Sequence, residues 1–318
     1  MSRIDSHRKT KSLIDAFIAA GTNATVSYNS TTDQIIISGP TLNSLSPATT
    51  KGDLIAYTGS TNTRLAVGTN YYTLAADSSA STGLAYAWSP RTNTRYGLNL
   101  YDDFLNNSSG AATIGSLGWN LTTSGASIAV QQADAANRAG IRRWSTSTAV
   151  GNRACIDLGV TSMYASGGAI STEYSVRFVT LPNATDDHVI YIGLHNTTGA
   201  GAPTNGVYFI VDQAVTGSYS EIRGRCTKAS ASTDTTDVSI SANTWYRLRI
   251  EINAAATSAS FYLDDSQVGS AVVSNLPDTS SNLVSPMAVM VRKTVGSNNV
   301  TPLDIDYCWF YQTLTTPR

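Results

Sequence analysis

TWYRLRIEIN, residues 244–253, alternates two kinds of side chain. Tyr246, Leu248, Ile250 and Ile252 are largely apolar, and Arg247, Arg249 and Glu251 between them are charged. A period of two is that of an extended strand with one face on a core and the other in water. The next run, ASFYLDDSQVG at 259–269, repeats the alternation and breaks at Asp264-Asp265, a pair suited to a hairpin turn. Outward from here, strand-like runs recur at 127–131, 154–158, 173–179, 189–194, 207–211, 221–226, 287–292 and 305–311. Strands at this frequency, joined by polar turns, predict a mostly β chain built on an antiparallel two-sheet sandwich.

The chain has 318 residues, which suggests a principal domain of roughly 200 residues and a smaller module. Only 14% of residues are charged and the net charge is −1, so the field that a nucleic-acid or anionic-membrane binder uses is missing. No apolar run is long enough to cross a bilayer as a helix, and no membrane insertion is expected. Residues 2–11 are basic and polar, and the run 13–20 is interrupted by Asp15, unlike a secretory leader. Cys155, Cys226 and Cys308 are odd in number and far apart, so they are expected as free buried thiols.

The N-terminal third has a different texture. SLIDAFIAA at 12–20 places Leu13, Ile14, Phe17 and Ile18 on one face of a short helix, with Ser12 as N-cap and Gly21 beyond its end. A helix this short needs something to dock on. A hairpin is expected over 25–38, with its turn at 29–33, then short strands at 53–57, 71–75 and 84–88. Residues 21–99 hold too little apolar surface to fold alone. The expected organisation is therefore an anchor helix at 1–20, a small β module at 21–99 and the sandwich at 100–318. Leu13, Phe17, Leu54, Ile55, Leu65, Val67 and Leu74 are apolar without an evident second wall, and are expected to form an interface between copies of the chain.

Lys51-Gly52-Asp53-Leu54-Ile55, Arg64-Leu65-Ala66-Val67-Gly68, Leu74-Ala75-Ala76-Asp77 and Thr82-Gly83-Leu84-Ala85-Tyr86-Ala87 follow one another in that order. The series resembles a short module of bacteriophage tail-fibre and other virion appendage proteins. It departs from that module at Tyr71-Tyr72-Thr73, where Gly-Gln is usual, and at Tyr86, where Trp is usual. The resemblance implies an intersubunit element of a homotrimer on a virion surface, in contact with other virion proteins.

From Tyr101-Asp102-Asp103-Phe104 through Gly118-Trp119 and TWYRLRIEIN to LDIDYCWFYQ at 303–312, the order of elements resembles the concanavalin-A-like jelly roll. That fold is shared by laminin-G-like domains, legume lectins and a family of glycoside hydrolases. The resemblance implies calcium, held by Asp102, Asp103 and Asp306, with hydrogen-bonded or solvated aspartates as the alternative. Its hydrolases carry paired glutamates on one strand, and Glu173, Glu221 and Glu251 have no partner at that spacing. His188 and His195, seven apart on one strand, face opposite ways, which is poor geometry for zinc; both are expected in solvent or loops. Trp119, Trp245 and Trp309 are expected in the core, and Trp88 and Trp144 at exposed or interfacial positions.

No catalytic residue is expected. The sequence reads as a bacteriophage structural protein, tail-fibre-like or capsid-decorating, that acts in assembly and binds a host surface, including its glycans. The alternative is a carbohydrate-binding or carbohydrate-active jelly-roll protein.

Overall fold

A computed structural model describes residues 25–29, 31–32, 34–38, 47–68, 72–88, 97–105, 114–130 and 138–316. The expected helix at 12–20, with Leu13 and Phe17, lies outside them. The chain divides into two units, Met1–Ser89 and Pro90–Arg318.

Among the described residues the first unit contains three antiparallel hairpins: β1 (Thr25–Asn29) with β2 (Gln34–Ser38), β3 (Leu54–Tyr57) with β4 (Asn62–Leu65), and β5 (Tyr72–Ala76) with β6 (Leu84–Trp88). The second hairpin is organised by Asp53. Its carboxylate accepts from the backbone of Thr49, Thr50 and Val67 and pairs with Arg64 at 2.7 Å. Desolvation opposes ionisation of Asp53, but these donors outweigh it and hold the carboxyl well below the usual range. The Gly52-Asp53 corner and the Arg64-to-Val67 segment are thereby tied together, which gives a physical reason for the spacing of those residues.

The second unit is a two-layer jelly-roll sandwich of antiparallel sheets. In the first sheet β20 (Ser266–Gln267), β19 (Ala259–Leu263), β18 (Thr244–Ile252), β12 (Ile170–Phe178) and β22 (Leu303–Thr313) lie side by side. The far edge of β22 is shared: β10 (Arg142–Ser145), itself paired with β9 (Ser127–Val130), lies along its start, and β7 (Gly97–Asp102) along its end. The second sheet runs β16 (Ala231–Asp234), β15 (Glu221–Lys228), β14 (Gly206–Val211), β13 (His188–His195), β21 (Ala288–Lys293), β11 (Arg153–Asp157) and β8 (Asn120–Ser124), with β17 (Val238–Ser239) also on β15. One helical turn, α1 (Gln213–Thr216), is capped by Asp212 and ends at Gly217 with φ 79°. Because β7 pairs with β22 from Gly97 onward, the sandwich starts before residue 100, and residues 97–99 belong to it rather than to the small module.

Leu248, Ile250 and Ile252 face inward as the alternation predicts, and pack with Tyr174, Val176, Phe178 and Phe310 against Ile190, Ile192, Phe209 and Val289 of the other sheet. The sheets approach closely at Gly224, where a β-carbon would overlap the ring of Phe261. Asp264 and Asp265 form the expected hairpin turn, with φ 48° and 67°. Trp119 is buried as expected, but so is Trp144, which the sequence placed at the surface. Trp144 alternates on β10 with Arg143 and points into the core. The side chain of Trp88 lies outside the described residues. All three cysteines are free and buried.

Candidate functional site

The two sheets differ on their outer faces. That of the second sheet is covered: Cys155, Val189, Tyr191, Tyr208, Ile210 and Met290 form a second buried cluster there, with Val215 of α1 packed on it. Both faces of β13 are therefore closed, which is why His188 and His195 are buried, contrary to the sequence expectation. His195 lies beside Tyr191 and Tyr208, each ring about edge-on to its neighbours at centroid distances of 5.6 to 6.1 Å.

The outer face of the first sheet retains partly exposed side chains. A bulge decides what it displays. Ser175 pairs with Tyr307 and Val176 with Ile305, leaving Asp306 as the extra residue on β22. Asp304, Asp306, Tyr307, Trp309 and Tyr311 all address the outer side, while Ile305, Cys308 and Phe310 stay in the core. Trp309 and Trp245, expected in the core, are instead half-buried on this face. The guanidinium groups of Arg138 and Arg177 lie over the Trp245 ring at 4.0 and 5.0 Å.

Strand register arranges the face in rows. Asn99, Tyr311, Ser171, Glu251 and Ser260 are successive cross-strand partners, from β7 through β22, β12 and β18 to β19. The next row is Tyr101, Trp309, Glu173, Arg249 and Tyr262. The members of the first row other than Asn99 line a cavity of about 350 Å³ with Asn253 and Ser258, and with Ala169, Ile170 and Ile252. Trp309 and Tyr311 have ring planes 8° apart with centroids 5.9 Å apart, and Trp309 Nε1 donates to Asn99 Oδ1 at 2.7 Å. Tyr101, 53% exposed, packs on Tyr307 at 6.1 Å.

Charges on this face are paired within it. Arg249 donates to Glu251 and its guanidinium lies 4.1 Å over Tyr262. Arg247 pairs with Asp265, Arg143 and Arg177 share Asp304, and Arg138 pairs with Asp306. Glu173 accepts from the Tyr307 hydroxyl at 2.6 Å. Burial, then the neighbouring Glu173 carboxylate, hold the Tyr307 hydroxyl well above its usual pKa.

The residues singled out for calcium are employed otherwise. The Asp102 carboxylate accepts from the backbone of Phe104, Ser116 and Leu117 and from Trp119 Nε1, so it ties the end of β7 to residues 116–119. Asp306 faces Arg138, and Asp103 accepts a 3.5 Å bond from Leu105. Among the described residues no three His, Cys, Asp or Glu side chains converge as a metal site. Of the expected interface residues, Leu54, Ile55, Val67 and Leu74 are exposed and Leu65 is half-buried. The sequence reading missed the row from Asn99 to Ser260. Its signal was the spacing of Tyr307, Trp309 and Tyr311, read with the wrong parity because a bulge leaves no mark in composition.

Residues 137–306, more than half of the chain, match the family model described as SO2946-like, C-terminal domain. The chain belongs to the SO2946-like family. The match ends at Asp306, one residue before Tyr307. The crystal structure of the protein of unknown function SO2946 from Shewanella oneidensis MR-1 superposes with TM-score 0.54 at 16% identity, over 70% of this chain and 89% of that one. At that identity the likeness establishes the fold. Peanut lectin gives 0.47 at 11% identity over 69% and 99% of the two chains. A module of the Dit protein of Lactobacillus casei BL23 phage J-1, named CBM2, gives 0.41 at 14% over 69% and 97%. No curated protein matches the sequence.

Proposed function

We propose that this chain is a carbohydrate-binding protein without catalytic activity, with its site on the outer face of the first sheet. The observation that carries this reading is the cavity lined by Tyr311, Ser171, Glu251 and Ser260 of one cross-strand row together with Asn253 and Ser258, which sets an aromatic ring beside hydroxyls, an amide and a carboxylate. A sugar has apolar C–H patches that pack on a ring, and hydroxyls that need acceptors and donors at its edge. Glycoside cleavage also needs one carboxyl kept protonated by an apolar pocket. Glu251 is ion-paired with Arg249 and open to water, and Glu173 is engaged by Tyr307. Calcium at Asp102 and Asp306 would have to displace the four donors on Asp102 and the Arg138 guanidinium on Asp306.

The exposed apolar residues of the first unit favour a second, compatible reading. Ile55 is 53% and Val67 50% exposed, on hairpins too small to enclose them. These side chains, with the order of motifs over 51–87, support a bacteriophage virion appendage, homotrimeric through its N-terminal unit and displaying the jelly roll at the virion surface.

The test of the carbohydrate reading is a glycan array probed with the full chain. Binding to at least one glycan, lost in Ser171→Trp, which would fill the cavity, is expected. Absence of binding to every glycan, or binding indifferent to Ser171→Trp, would overturn it.

A further inference from the structure

We infer that the ligand is an extended, uncharged glycan chain lying over several subsites along β22, rather than a single terminal sugar; this rests on the carbohydrate reading above. The cavity bounded by Tyr311, Ser171 and Glu251 is one end of a longer surface. Beyond it stand Trp309, then Tyr307 with Tyr101 packed on it. Tyr307, Trp309 and Tyr311 are two residues apart on one strand, so the strip spans about 14 Å, longer than one sugar ring. Trp309 and Tyr311 are stacked with planes 8° apart, which fixes both rings in one arrangement next to the cavity and makes their exposed edges a continuous apolar surface along the strand.

The charge pattern selects the ligand class. Arg138, Arg143, Arg177, Arg247 and Arg249 each have a carboxylate partner on or beside this face. A polyanionic glycan would have to displace those carboxylates and meet Glu251 and Glu173 unshielded, whereas a neutral chain leaves the pairs intact. Asn99 and Ser171 flank Tyr311 in its cross-strand row, with Ser260 beyond Glu251, so small uncharged polar groups stand at the Tyr311 end of the strip, where they suit the hydroxyls of a polyhydroxylated chain. A protein partner would call for a larger continuous apolar centre.

The experiment is calorimetric titration of the full chain with cello-, chito-, malto- and laminari-oligosaccharides of one to six units. In the series that binds, the affinity is expected to rise at least about tenfold between one and four units. Trp309→Ala should remove that gain, so that four units bind no more tightly than one, while Trp309→Phe retains most of it. Near-UV circular dichroism confirms that the variants keep the sandwich. One unit bound as tightly as six, with Trp309→Ala silent, would overturn the extended site and leave the carbohydrate reading standing. Binding of hyaluronan in preference to all four neutral series would overturn the charge assignment. No binding to any of these probes would overturn both readings.

Discussion

The Tyr307 hydroxyl donates to Glu173 across the β22–β12 pair at 2.6 Å, fixing one ring of the aromatic strip and engaging a carboxylate at the same time. With Glu251 held by Arg249, both glutamates of this face already have a partner within it. Incubation with β-glucans and other polysaccharides is therefore expected to release no reducing ends. Turnover that disappears in Glu173→Gln or Glu251→Gln would contradict the non-catalytic reading.

The contact between Gly224 and Phe261 makes a second expectation. Gly224→Val adds methyl groups where the ring already sits, and overpacking of this kind costs about 1–3 kcal/mol. Phe261→Leu makes room for part of the added volume, so the double variant should be more stable than the sum of the single changes implies. Urea unfolding of the four proteins measures this, and strict additivity would show that the sheets do not interlock here.

Acid sensitivity follows from the two buried histidines. Burial, then the Lys293 charge, push His188 down to about 4, and burial pushes His195 down to about 3. Folded-state values below the unfolded value of about 6.5 mean that the unfolded chain binds more protons as pH falls. Their neutral burial costs nothing above about 6.5; stability declines from there to about 4 for His188 and to about 3 for His195, and levels off for each group below its folded value. From pH 7.5 to 5.5 each histidine should cost about 1 kcal/mol. His195→Phe, placed among Tyr191 and Tyr208, should reduce the slope of unfolding free energy against pH; an unchanged slope would show that His195 is protonated in the folded protein.

The N-terminal unit carries the assembly reading. Full-length protein is expected to sediment as a trimer, and residues 97–318 as a folded monomer. Leu54→Asp or Val67→Asp should dissociate the trimer without changing the unfolding of the sandwich, because both side chains are exposed within the chain itself. A monomeric full-length chain at micromolar concentration would contradict the interface.

What the sequence revealed depended on whether alternation survived. On β18 the alternation of Leu248, Ile250 and Ile252 with Arg247, Arg249 and Glu251 runs unbroken, and its inward face was legible. On β22 the same logic, started from Leu303 and Ile305, assigns Trp309 to the core; the bulge at Asp306 inverts the parity and puts it outside. On β13 both faces are covered, so the period that would have placed His188 and His195 is absent. The strands β8, β10, β16, β17 and β20 are short and polar, and the pairing that makes them strands comes from partners distant in sequence. The candidate site was illegible for the same reason: Asn99, Ser171, Glu251, Ser260 and Tyr311 lie on five strands and meet only through register.

The most direct measurement is a crystal structure of the full chain with the tightest-binding oligosaccharide. Sugar rings lying over Tyr311 and Trp309, with hydroxyls at Glu251 and Ser171, are the expected result. A sugar bound on the second sheet, at its edges, or on the N-terminal unit, with the row from Asn99 to Ser260 empty, would contradict the assignment of this face.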